Sequence, residues 1–230
     1  MNTIHLTRAQ VRQVDRLAVE RYRISGPVLM ENAGRNAAEI IRREFPQVQA
    51  ATIVCGTGNN GGDGCVIARH LHNAGWAIRL LMTGDASRMT QDTGANFAIV
   101  EAMGLDRLVS EDPDEQKRYL DAGPADAVVV DALLGTGFQG TVRPPTDQLI
   151  EWINEVESSG IVAVDVPSGL DCDGGRPSNA TIRASVTVTF VARKMGFAAP
   201  GSRAYSGKVF VANIGTPPAL IDVALSQTVV

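Results

Sequence analysis

The chain has 230 residues, 44% of them hydrophobic and 20% charged, which suits one sizeable core and a single domain over residues 1–230. A net charge of −4 and an isoelectric point near 5.4 argue against a basic nucleic-acid surface or an anionic membrane as partner. No apolar run approaches the ~20 residues of a membrane span, and the start lacks the pattern of a secretion leader. Cys55, Cys65 and Cys172 form neither a C-x-x-C pair nor an even disulfide set, so buried thiols in a reducing cytoplasm are expected.

In chain order, residues 7–23 predict a helix capped by Thr7, with Val11, Val14, Leu17, Ala18 and Tyr22 on one face. A second helix over 27–45 turns Met30, Ala33, Ala37, Ile40 and Ile41 inward. Its small residues Ala33, Gly34, Ala37 and Ala38 allow close packing, and packing is the reading preferred for Glu31 and Asn32 as well. A strand over 51–55 runs into a glycine-rich turn and a helix through Val66, Ile67, His70 and Leu71. A strand over 77–83 and a helix over 90–103 follow, and the acidic stretch Ser110 to Lys117 reads as a solvated connection. Strand 127–134, helix 145–156, strand 161–166 and strands 185–192 and 208–214 complete the pattern. Near-continuous Val/Ile runs mark strands covered on both faces. The architecture is therefore α/β: a three-layer αβα sandwich, Rossmann-like, with a mostly parallel sheet.

The most informative segment is Cys55-Gly56-Thr57-Gly58-Asn59-Asn60-Gly61-Gly62-Asp63-Gly64. Five glycines between a strand and a helix leave backbone N–H groups open to an anionic ligand. Gly56, Gly58 and Gly61 fit G-x-G-x-x-G, the mark of redox dinucleotide folds, but the acidic residue expected about 20 positions on comes late, at Asp85. Two amides and a carboxylate within the loop exceed what a phosphate cradle requires. A glycine turn with no ligand is the bland alternative.

Ligands of such sheets bind beyond the carboxyl ends of the strands. There the chain places Asn59, Asn60 and Asp63, then Asp131 ahead of Gly135-Thr136-Gly137-Phe138-Gln139-Gly140-Thr141. Asp165 with Ser168, and Lys194, follow. Convergence of these groups on one site is expected.

Cys55 to Gly64, Val130-Asp131-Ala132-Leu133-Leu134-Gly135-Thr136-Gly137 and Val164-Asp165-Val166-Pro167-Ser168-Gly169 together resemble the NAD(P)H-hydrate epimerase family, the YjeF N-terminal type. Met30-Glu31-Asn32-Ala33-Gly34 and Lys194-Met195-Gly196 are similar to further signatures of it. The resemblance spans almost the whole chain. It implies an isomerase that interconverts the R and S forms of NADH and NADPH hydrated at C6 of the nicotinamide ring, for repair of these nucleotides. The hydrated dinucleotide is then substrate and not cofactor. The S form is the one a partner dehydratase repairs, and a homodimer is implied.

By the same resemblance, residues Asn59, Asn60, Gly61, Gly62 and Asp63 contact the substrate, as do Gly135, Thr136, Gly137, Phe138, Gln139, Gly140 and Thr141, and Asp165. Asn60, Asp131 and Ser168 match positions that hold a potassium ion (K+). Oxygen donors with one formal charge suit a large monovalent cation better than zinc. Asp165 is the candidate acid/base and Lys194 its assistant: C6 inverts by readdition of water on the other face or by ring opening and closing, and either route needs one group to protonate the departing oxygen and another to deprotonate the incoming one. Arg69, Arg79 and Arg88 are candidates for an NADPH 2′-phosphate. The alternative is a non-catalytic nucleotide-binding scaffold of the same fold, against which the retained polar set at residues 60, 63, 131, 165, 168 and 194 argues.

Overall fold

The computed structural model describes residues 4–226. A short strand β1 (His5–Leu6) leads into α1 (Arg8–Tyr22) and α2 (Gly26–Glu44). Then come β2 (Ala50–Cys55), α3 (Asn59–Asn73), β3 (Ala77–Thr83), α4 (Gln91–Ala102), β4 (Asp106–Ser110) and α5 (Pro113–Asp121). The second half holds β5 (Val128–Ala132), α6 (Thr146–Glu155), β6 (Gly160–Val164), β7 (Val186–Phe190) and β8 (Arg193–Lys194). It ends with α7 (Arg203–Ser206), β9 (Lys208–Ala212) and α8 (Ala219–Ser226).

Seven strands form one parallel sheet in the order β4-β3-β2-β5-β6-β7-β9. Chain direction across the sheet reverses between β2 and β5, so the loops after these two strands diverge and leave a crevice. Every residue of β5 and β7 is buried, as their valine runs require. One core layer joins the sheet to α1, α2, α3, α4 and α8; a second joins its other face to α5 and α6 through Leu120, Leu149, Ile150 and Ile153. The result is an αβα sandwich.

Thr7 caps α1 as expected: its Oγ1 accepts from the Gln10 N–H while the Gln10 side chain accepts from the Thr7 N–H. Two other expectations are corrected. Tyr22 stands at the exposed end of α1 instead of facing the core. The stretch Ser110 to Lys117 is not a solvated connection: β4 ends at Ser110, and α5 starts at Pro113, capped by the Asp112 carboxylate on the Asp114 N–H. Gln116 is buried and donates to the Ser110 carbonyl, which ties strand to helix.

The glycines after β2 serve packing first. A Cβ on Gly61 would lie 1.7 Å from the Gly56 carbonyl oxygen, and one on Gly62 would lie 2.6 Å from Met30 Sδ. Their absence lets the first turn of α3 sit directly on the end of β2 and against α2. The small residues of α2 act likewise, since a Cβ on Gly34 would meet Val66 at 2.4 Å.

Candidate active site

A cavity of about 930 Å³ opens over the crevice between β2 and β5. This volume lies within the roughly 300–1,000 Å³ of small-molecule sites. Its walls are α1, the start of α2, the loop after β2, residues 133–138 and the ends of β6 and β7 with Lys194. Of the residues singled out from sequence, Asn59, Asn60, Asp63, Gly135, Thr136, Gly137, Phe138, Asp165 and Lys194 line it. Gly61 and Gly62 are buried in the packing below it, while Gln139, Gly140 and Thr141 are exposed beyond its lining.

Asp165 directly follows β6 with φ +67°, a left-handed backbone that aspartate tolerates better than most residues. Its Oδ2 accepts from the Thr136 N–H at 2.9 Å, and its Oδ1 pairs with Lys194 Nζ at 2.9 Å. Lys194 is fully buried and also donates to the Phe190 carbonyl at 2.9 Å. Such an ammonium is stable in the interior only because both partners are in place. β8 holds it there by pairing with β1, Lys194 opposite Leu6.

Two more carboxyl groups share this environment. Burial, followed by the charges of Asp165 and Asp15, pushes Asp63 well above the usual carboxylate range. Asp15 on α1 is pushed up to about 6 by burial, with Asp165 adding to the rise and Lys194 opposing it. Burial beside other carboxyls thus makes Asp15 and Asp63 bind protons more tightly than free carboxylates do.

Asp15 binds its proton more tightly folded than unfolded. It therefore lowers stability progressively as pH rises from about 4 to about 6, and its full cost is present above that. Asp15→Asn is expected to raise stability by about 1–3 kcal/mol near pH 8 and to leave it unchanged near pH 3. Urea unfolding midpoints at the two pH values check this.

Asp131 and Ser168 lie fully buried behind the cavity wall. Ser168 Oγ donates to Asp131 Oδ1 at 2.6 Å and accepts from the Leu134 N–H at 2.9 Å, while the Ser168 N–H donates to Asp131 Oδ2 at 2.8 Å. Burial pushes Asp131 up to about 6 despite those hydrogen bonds. Asn60 is buried at the start of α3, and both polar atoms of its side chain lack a hydrogen-bond partner among the described residues. An orphaned amide oxygen and a desolvated carboxylate fit an oxygen-seeking cation. Among the described residues no group of three or more His, Cys, Asp or Glu side chains is arranged to hold a metal, so a zinc-type donor set is not present there.

The candidate 2′-phosphate contacts are corrected. Arg69 is bound to Glu31, and Arg79 pairs with Asp106 and stacks on Tyr119; neither these two nor Arg88 lines the cavity. The cations that do line it are Lys194 and, exposed on α1, Arg12 and Arg16. Glu31 also contacts His70, and Asn32 donates to the Ile214 carbonyl, so both play the packing role expected of them.

The family described as the YjeF-related protein N-terminus matches residues 26–196. The chain belongs to this family. A protein of Rhodopirellula baltica named NAD(P)H-hydrate epimerase is 39% identical over 94% of this chain and 86% of its own length. One of Pirellula staleyi with the same name is 40% identical over 94% of both. A bifunctional NAD(P)H-hydrate repair enzyme of Pyrobaculum aerophilum is 42% identical over 83% of this chain, which spans 38% of that longer protein. The crystal structure of yeast YNL200c superposes with a TM-score of 0.74 at 26% identity, covering 84% of this chain and 82% of the yeast one.

Besides Arg12 and Arg16, two groups at the YjeF-type site escaped the sequence reading, and both precede the matched segment. Arg8 is buried, donates to the carbonyls of Thr136 and Phe138 and pairs with Asp171, which fixes the 133–138 loop. Asp15 is the other. The available signal was its position on the helix, four residues after Val11 and three before Ala18, inside an apolar stripe where a carboxylate is costly.

Proposed function

We propose that this chain is an NAD(P)H-hydrate epimerase, interconverting the R and S hydrates of NADH and NADPH. The observation that carries the reading is the Lys194–Asp165 pair at the cavity wall, joined by two further carboxyls, in a member of a family whose similar proteins bear that name.

In the hydrate, C6 carries a hydroxyl beside the ring nitrogen. Protonating that hydroxyl lets the nitrogen lone pair expel it as water, and water then adds to the other face of the cation. Asp165 is the principal acid/base, because it lines the cavity and its orientation is fixed from both sides by Lys194 and Thr136. Its carboxylate also stabilises positive charge developing on the ring. Asn59 to Asp63 and the loop from Gly135 contact the dinucleotide, with Gln139, Gly140 and Thr141 at the outer rim. Arg12 and Arg16 supply positive charge for its phosphates.

A potassium ion held by Asn60, Asp131 and Ser168 would supply a fixed charge that keeps Asp131 ionised and steadies the adjoining loops. The reading also carries a cytoplasmic location, a separate dehydratase acting on the S hydrate, and a homodimer joined through the N-terminal helices. Val19, Tyr22 and Val28 are exposed on those helices.

The test is direct. Purified R hydrate, incubated with and without the protein and with and without potassium, is followed for R/S exchange by chromatography. Acceleration by the protein is expected, and exchange at the protein-free rate would end the proposal. Asn60→Ala is expected to lower exchange and remove its dependence on potassium. An unchanged potassium titration in that variant would dismiss the ion's assigned ligands.

A further inference from the structure

One wall of the cavity comes from α1, which precedes the segment that the family match covers. Asp15 is the acidic group of that wall. It is half-buried, it faces the same cavity as Asp165 and Lys194, and among the described residues it has no hydrogen bond or ion pair to hold it in a structural role. The charged groups facing it are Lys194 from β8, Asp165 from the end of β6 and Asp63 from α3. On α1 itself Arg12 and Arg16 flank it, and α8, which meets α1 where Gln10 bonds the Ala224 carbonyl, contributes only the exposed Asp222.

Inversion at C6 by loss and return of water imposes a requirement of symmetry. The hydroxyl departs from one face of the ring and water arrives at the other, so a proton donor and a proton acceptor must stand on opposite faces. Asp165, clamped between Lys194 and Thr136, serves one face of a ring held in the cavity. Resting on the epimerase reading above, we propose that Asp15 is the second proton-handling group, a catalytic residue working on the face that Asp165 does not serve.

The step then balances. The Asp15 carboxyl gives its proton to the C6 hydroxyl, the C6–O bond breaks with its electron pair on oxygen, and water leaves. The ring nitrogen supplies the pair that completes the C=N bond. A second water attacks C6 on the face of Asp165, the new C–O bond forms, and the Asp165 carboxylate takes the released proton. The opposite epimer runs the same steps with the two carboxyls exchanged, and solvent in the cavity mouth restores the starting protonation. Asp63 suits this task less. Burial pushes its carboxyl well above the usual range, whereas Asp15, pushed up to about 6, gives and takes a proton under working conditions.

The experiment incubates R hydrate and S hydrate separately in ¹⁸O-water with the wild type, Asp15→Asn and Asp15→Glu, and scores inversion and label uptake separately. The wild type is expected to invert the centre with uptake of label. In Asp15→Asn inversion falls by about 100-fold or more. Label still enters, with retention, the epimer whose hydroxyl faces Asp165. Asp15→Glu recovers part of the inversion. Wild-type inversion without label uptake, or an Asp15→Asn enzyme that inverts at the wild-type rate, overturns the proposal. So does a parallel fall of inversion and uptake in both variants with both epimers, the pattern of a merely structural role. Absence of any acceleration by the wild type removes the epimerase reading itself, and this proposal with it.

Discussion

Asp165→Asn is expected to slow R/S exchange by about 10²- to 10⁴-fold while the fold is retained. Asparagine has the same shape, accepts the left-handed backbone at φ +67° and offers an oxygen to the Thr136 N–H. It cannot accept a proton from water, and it no longer sets a negative charge beside the ring. The fully buried Lys194 loses its anionic neighbour but keeps the Phe190 carbonyl and the field of Asp15. Exchange assays on the purified variant, with circular dichroism as the control on folding, decide the matter. A folded variant with wild-type exchange would remove Asp165 from the chemistry.

Lys194→Met acts on stability first. The side chain is about as long, but the ammonium that offsets Asp165, Asp63 and Asp15 is gone, and one partner of a buried pair is left alone. Losses of this kind are about 3–5 kcal/mol. For a chain of this length each kcal/mol moves the melting temperature by about 2–4 °C, so a drop on the order of 10 °C is expected. The deficit narrows as pH is lowered, because protonating carboxyl groups removes the charge left without a partner. A melting temperature equal to the wild type at neutral pH would show that the ammonium contributes nothing to the fold. Thermal scans across pH provide both readings.

How far the sequence reveals this molecule depends on the range of the interactions involved. β2, β5, β6 and β7 are legible because strands covered on both faces are runs of Val and Ile, and the site's location follows from their carboxyl ends. β4 is not, because Asp106-Arg107-Leu108-Val109-Ser110 is an edge strand with mixed polarity and no apolar run. The short pairing of β1 with β8 lies below any periodic signal, yet it holds Lys194 in the interior. The glycines of residues 56–64 look like a ligand cradle in sequence. In three dimensions Gly61 and Gly62 are spaces for a carbonyl and a methionine, and it is Asn59, Asn60 and Asp63 that meet the cavity. Asp15 belongs to the same class of miss: a single charge in an apolar helix face acquires meaning only once Asp165 and Lys194 are seen to line the same cavity.

The pairing of β1 with β8, together with the bonds from Arg8 to Thr136 and Phe138, makes the opening residues a strap over the site. Detaching the strap and emptying the site draw on one shared free energy. An occupant contacting the 133–138 loop must slow peeling of residues 5–8, and a cut or a bulky fusion that peels them must weaken the occupant by the same factor. The beginning of the chain is thus a handle on a cavity whose recognisable signatures all lie downstream of it.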